Sequence, residues 1–487
     1  MKKINLISLG LIMGLFMSGC GGKAENMKLL DNQTLISQSF INNEKITNIG
    51  DPYLVQENGR YYVTATCDGK GYDIYSCDDL MSWKKEGRIF SSSSKEGWVR
   101  SSLWQPQIVI GDDGKYYLYY CGNNDRGSLR IGVAMADTIT GPYKDVYDHP
   151  LVEFGVATID PNFFKDDDGK MYLYFSRDCS ENIVKGYNTS QIYVIEMADY
   201  VTIKEGAKAE RLITPEQDWE LLTGQYRWNE GPDVLKLDGK YYLFYSGGFY
   251  GDKTYSMGYA VSDSPMGPFT KYENNPIIAS TDVTSGPGNN SFFMDKTGKE
   301  LYNCYHTHTV KSIGGGNRKV TIDRCGFRAD GTFYMNGPTT TYQTPVLGSS
   351  NFTKLDVTGV NVTGAPTDAD LSALVDGETL NSKNEYLYEW SVEKRDGLEL
   401  SFSFADKTDL NCIYIYGTKD ATKTVNAFDI VFDDGKIEGV NVPVNSEAPT
   451  VLYFDHVLTE SVKIVPVDYG EATGFALSEV CFYNFTE

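Results

Sequence analysis

From about residue 50 to about 340, apolar and polar side chains alternate in short runs, the period-two pattern of strands rather than the 3.6-residue pattern of helices. One run keeps returning: NGRYYVTAT at 58–66, DGKYYLYYC at 113–121, DGKMYLYFS at 168–176, DGKYYLFYS at 238–246 and, degraded, TGKELYNCYH at 297–306. Asn-Gly or Asp-Gly between alternating runs is the strongest short hairpin signal. A third strand follows, such as RIGVAMAD or SMGYAVSD, and then a Gly-Pro-aromatic or Ser-Trp turn. Five such units, roughly 50 to 60 residues apart, predict an all-β chain whose residues 45–345 form a five-bladed β-propeller. Residues 351–487 lose this motif. Their shorter strands (LELSFSF, NCIYIYG, AFDIVFDDG, TVLYFD, SVKIVPV, VCFYNF) predict a jelly-roll-like β-sandwich.

Composition narrows the function classes. The 487 residues carry 44 basic and 66 acidic side chains, a net charge of −22, which repels nucleic acid and anionic surfaces and suits a neutral partner. Lys2 and Lys3, the apolar stretch Ile4–Met17 and Ser18-Gly19-Cys20 read as an export signal over 1–20. Its close on Cys20 resembles a bacterial lipobox, with Cys20 as the lipidated first residue and 21–44 as a tether. The expected setting is therefore a membrane-anchored lipoprotein in the periplasm or at the cell surface, a monomer touching the membrane only through its lipid. The eight further cysteines are scattered, with no zinc-type spacing, and read as free buried thiols.

Three units open on a carboxylate: Asp51 in GDPYLV, Asp160 in TIDPNFFKDDDGKMYLYF and Glu230 in WNEGPDVLKLDGKYYLFYS. Counting nine residues back from each turn glycine gives Gln105, Asp160, Glu230 and Asn289, while Asp51 stands eight back. The innermost strands of a propeller begin at one mouth of its channel, so these five are expected to ring it. Acids in register are wasteful unless something polar binds there. An inverting glycosidase needs a protonated carboxyl and a water-activating carboxylate roughly 6.5–9.5 Å apart. Glu230, with the longest arm, is the expected general acid, its proton held by the charge of Asp160, and Asp51 is the expected base.

These motifs, with WQP at 104–106, resemble glycoside hydrolase family 43 in order and spacing over about 45–340. The resemblance implies a five-bladed propeller that inverts the anomeric centre of arabinofuranosides, xylosides and, in some branches, galactans or galactofuranosides. It implies Asp51 as base, Asp160 as pKa modulator and Glu230 as acid, and one calcium or sodium ion in the channel with no organic cofactor. His306, in a Tyr-His pair, matches the family residue that holds the ion through water, although a hydrogen-bonded core histidine reads the same. Where many members have Gly-Pro-Gly-His, this chain has Gly286-Pro287-Gly288-Asn289. Arg318 resembles a substrate-contacting arginine, with Arg324 competing for that role. Trp104 and Trp228 are candidate walls for a sugar, or blade packing. The C-terminal segment, from ALVDGETL to ALSEVCFYNF, resembles a discoidin-like, galactose-binding-like module. A glycan-binding propeller without catalysis is the alternative; the intact acids argue against it.

Overall fold

The structure, a computed structural model, describes residues 26–487 apart from 43–45, 93–96, 366–369, 381–388 and 445. The export signal and Cys20 therefore lie outside the described residues. Five four-stranded antiparallel sheets follow one another along the chain. Their first strands are Gly50–Glu57, Ser101–Ile110, Thr158–Lys165, Glu230–Leu237 and Phe292–Met294. The expected five-bladed propeller is the observed fold.

The aromatic runs are explained by what covers each blade. In blade two, Tyr117, Tyr119 and Cys121 belong to a core shared with blade three, while the alternate Leu118 and Tyr120 join a core shared with blade one. Both faces of every middle strand are buried, so such a strand reads as nearly continuous apolar sequence instead of apolar and polar in turn. Tyrosine suits this place because its hydroxyl reaches the blade edge, as Tyr174 does to Pro265 O at 2.7 Å.

Polar side chains stitch the innermost strands into a closed ring. Gln107 donates to Tyr53 OH (3.1 Å) and Phe163 O (3.1 Å) and accepts from Phe163 N (2.6 Å), joining blades one, two and three. Asn162 donates to Asp233 Oδ1 at 2.9 Å, and Asp233 Oδ2 accepts from Phe292 N at 3.3 Å, joining blades three, four and five. Leu54 N donates to Ser291 Oγ at 2.9 Å, which returns the ring to blade one. Each bond satisfies a buried group that packing alone would leave unpaired.

The C-terminal domain has a seven-stranded sheet and a two-stranded sheet around its own apolar core, which includes Leu400, Phe402, Ile413, Phe428, Ile464 and Phe475. The expected tether is docked over residues 26–42. Met27 N and Leu30 N donate to Lys436 O and Tyr453 O at 2.8 Å each, and Leu35 and Phe40 are buried. Burying those two apolar side chains favours docking over a free linker. All eight described cysteines are free thiols. Among the described residues no helix is long and apolar enough to cross a membrane.

Candidate active site

One local device, used in the first four blades, builds the mouth of the channel. In blade one Gly50 pairs with Thr66 and Tyr53 with Thr64, so Asp51 and Pro52 together oppose the single Ala65. The same two-against-one bulge sets Gln105-Pro106, Asp160-Pro161 and Gly231-Pro232 in blades two, three and four. Its first residue is left-handed, with φ of 50° at Asp51, 37° at Gln105, 59° at Asp160 and 59° at Gly231. Asn289, at φ 65°, takes that place in blade five. Bulges re-aim side chains and recur beside active sites, and strained backbone collects there too.

This register corrects the expected ring. Glu230 stands one residue ahead of it, level with Gly50, Trp104 and Ile159, and Gly231 fills the fourth place. The reason lies in the hairpins. Glu57 pairs with Arg60 and Leu237 with Lys240 across two-residue turns, Asn58-Gly59 and Asp238-Gly239. Blades two, three and five use longer turns, closed by Gly111 N to Lys115 O, Asp166 N to Lys170 O and Asp295 N to Glu300 O. Counting back from the turn glycine therefore lands one residue early in blade four.

The offset gives Glu230 its own surroundings. Its buried carboxyl accepts the Tyr255 hydroxyl at 2.9 Å. Asp160 holds the peptide next to it, with Gly231 N donating to Asp160 Oδ2 at 3.0 Å. The Gln105 amide nitrogen donates to Asp160 Oδ1 at 2.7 Å and to Asn289 Oδ1 at 3.1 Å. Across the mouth, Arg318 Nη1 donates to Asp51 Oδ1 at 2.9 Å. Two glycines make room for these arms. A Cβ on Gly288 would lie 1.9 Å from the Tyr255 ring, and one on Gly50 would lie 1.9 Å from the Arg318 guanidinium. Gly50→Ala is accordingly expected to push Arg318 off Asp51 and lower kcat/KM about tenfold or more while the protein stays folded, read from steady-state kinetics beside a thermal melt.

Electrostatics separate the acids. Burial, and then the charge of Asp160, push the Glu230 carboxyl well above the usual carboxylate range. Burial and the charge of Asp51 raise Asp160 likewise, with the Gly231 amide pulling against them. Asp178, buried at the end of the blade-three hairpin, is a further acidic neighbour whose charge raises both.

The structure brings Asp51, Gln105, Asp160, Glu230, Asn289, Arg318 and His306 to this one mouth. Arg324 is elsewhere: it is half-buried, donating to Glu300 (2.9 Å) and Pro345 O (2.7 Å). Trp104 is 38% exposed, with its carbonyl fixed by the Tyr72 hydroxyl at 2.9 Å, so its ring is not blade packing. Trp228 is half-buried, stacked on Tyr226 and tilted against Phe249. Sequence reasoning missed Tyr255 and Asp178. Neither opens a strand of the repeat, and Tyr255 is one tyrosine among 35.

His306 decides how an ion would be held. Asp51 N donates to His306 Nδ1 at 3.1 Å, so the ring carries its proton on Nε2. Burial, with the Arg318 charge, holds this imidazole well below its ordinary range. The ring is neutral, and its 3.5 Å approach to Asp51 Oδ1 is no ion pair. The buried Nε2–H has no protein partner. A donor there fits the oxygen of a water in an ion's shell, not the ion itself. Among the described residues no three His, Cys, Asp or Glu side chains are grouped to grip a bare cation.

A five-bladed propeller with a buried acid of raised pKa and an ion-paired one at a common mouth is the equipment of a glycan-cleaving hydrolase. The profile of glycosyl hydrolases family 43 matches residues 46–333, and the chain belongs to that family. Its relatives include Beta-D-galactofuranosidase xynD of Aspergillus niger, 29% identical over 299 residues that cover 58% of this chain and 80% of the relative. Another is the Extracellular endo-alpha-(1->5)-L-arabinanase 2 of Bacillus subtilis, 29% identical over 317 residues, 56% of this chain and 60% of the relative. Among solved structures, a thermostable family-43 glycoside hydrolase is 38% identical with a TM-score of 0.60, covering 63% of this chain and 99% of that one.

Proposed function

We propose that this chain is an inverting glycosidase of arabinofuranosyl or xylosyl linkages, with galactofuranosyl or galactan bonds as the further choice. In it Glu230 is the general acid, Asp51 the general base and Asp160 the modulator. The observation that carries this reading is the contrast between Glu230, its carboxyl pushed up by burial and the charge of Asp160, and Asp51, ion-paired with Arg318 across the same mouth. Glu230 donates to the departing oxygen as the glycosidic bond breaks. Asp51 takes a proton from the water that attacks the anomeric carbon from the opposite face. Asp160 works on Glu230 in two ways: its charge favours the protonated form, and its hold on Gly231 N fixes the adjoining peptide. Trp104 offers an apolar wall for the sugar, while Gln105, Asn289 and Arg318 supply polar contacts. His306 would hold a hydrated calcium or sodium ion, whose positive charge would favour the ionised carboxylates nearby. Cys20 would carry the lipid that keeps the monomer at the membrane.

The test is a screen of purified protein against nitrophenyl arabinofuranoside, xyloside and galactofuranoside with arabinan alongside, and proton NMR of the first-formed anomer. No turnover on any of them, or a retained anomer, would overturn the reading. A pH profile probes the modulator. Glu230 must be protonated to act, so activity falls as pH rises through its raised pKa. Asp160→Asn removes the neighbouring negative charge and lowers that pKa, so the alkaline arm of kcat/KM should move to lower pH. An unmoved arm would rule out the modulator role.

A further inference from the structure

Aromatic rings continue outward from the mouth across blade four. The Arg318 guanidinium lies 5.2 Å from the Tyr250 ring centre, Tyr250 is 5.0 Å from Phe249, Phe249 is 5.6 Å from Trp228, and Trp228 is 5.8 Å from Tyr226. Three of these rings are open to solvent: Tyr226 at 47%, Tyr250 at 40% and Phe249 at 37%. None of the four belongs to a core between blades. A contiguous exposed apolar strip, unlike scattered single residues, marks a binding surface. Tyr226 and Trp228 are nearly parallel, at 14°. Rings pack about 3.5 Å apart in the perpendicular direction, so this pair is strongly offset and leaves face area uncovered.

The strip lies where a leaving group must pass. Trp228 precedes Glu230 by two residues, and Phe249 and Tyr250 follow the end of the strand paired with it, Lys240–Gly247. Glu230 protonates the departing sugar, so that side of the mouth receives the leaving chain. Walls flank the strip. On one side the Ile183–Thr189 hairpin pairs with Tyr226-Arg227, and Arg227 covers the Tyr187 ring at 3.5 Å. On the other, Gly314 N donates to Gly251 O at 3.1 Å. Blades one and two join their second and third strands only by the short links Cys67–Lys70 and Asn124–Ser128.

We propose that Tyr226, Trp228, Phe249 and Tyr250 form a leaving-group track for a chain of neutral sugars, so that the enzyme reads several units beyond the bond it cuts. The occupant follows from continuity with the carboxylate mouth, from steps comparable to one sugar ring, and from the acidic surface, which disfavours a polyanion. The inference rests on the glycosidase reading.

The test compares the protein with its Tyr226→Ala/Phe249→Ala variant on a nitrophenyl arabinofuranoside or xyloside and on linear arabino- and xylo-oligosaccharides of two to five units. The ratio of kcat/KM on the longest oligosaccharide to that on the aryl glycoside should fall about tenfold or more in the variant. An unchanged ratio, with both substrates cleaved, overturns the track but leaves the glycosidase intact. If the unaltered protein cleaves neither, the glycosidase reading fails, and calorimetric titration of the same oligosaccharides decides the track separately. Affinity should then rise with chain length and lose that rise in the variant; equal affinity at all lengths overturns it. A thermal melt confirms that the variant is folded.

Discussion

Glu230→Gln should lower kcat on an oligosaccharide by about 10²- to 10⁴-fold, the range that a positioned general acid supplies. The loss should shrink on aryl glycosides whose phenol departs with little protonation, because only a poor leaving group needs the proton. Gln keeps an oxygen for the Tyr255 hydroxyl, so the melting temperature and the binding of substrate should hardly change. A set of aryl leaving groups of graded acidity measures this directly: the variant's rate should depend steeply on leaving-group acidity, and the parent's weakly. Equal slopes, or unchanged turnover of a sugar leaving group, would remove Glu230 from the role.

Asp51→Asn should cost about as much, roughly 10²- to 10⁴-fold, since the attacking water loses its proton acceptor. The diagnostic is rescue. Azide is a nucleophile that needs no deprotonation, so added azide should restore turnover in Asp51→Asn and give a glycosyl azide of inverted configuration. It should do nothing for Glu230→Gln on a poor leaving group. The variant also leaves Arg318 without its carboxylate partner, so some rise in KM should accompany the fall in kcat. No azide product from a folded Asp51→Asn protein would count against Asp51 as the base.

The site was legible to different depths. Asp51, Asp160 and Glu230 stood out because each opens a copy of a repeat, and a repeat makes equivalent positions converge. Arg318 and Arg324 were not separable in sequence, since both lie on one strand of blade five. Packing separates them: Arg324 is held by Glu300 and Pro345, while the buried Arg318 passes through the space that Gly50 leaves open. The water-mediated reading of His306 gained a reason only from a backbone contact, Asp51 N on Nδ1, which spacing does not disclose.

By itself the chain's alternation determined the strands, the number of blades, the break near residue 345 and which acids share a mouth, because period and turn chemistry are local properties. What lay beyond local counting was the one-residue offset of Glu230. Hairpins of different length are absorbed by pairing across a sheet, and only the closed ring shows which residue of each strand reaches the channel. The same closure decided that Arg318 of blade five meets Asp51 of blade one. That contact joins residues 267 apart along the chain, and it exists only once the first and last sheets have packed against one another.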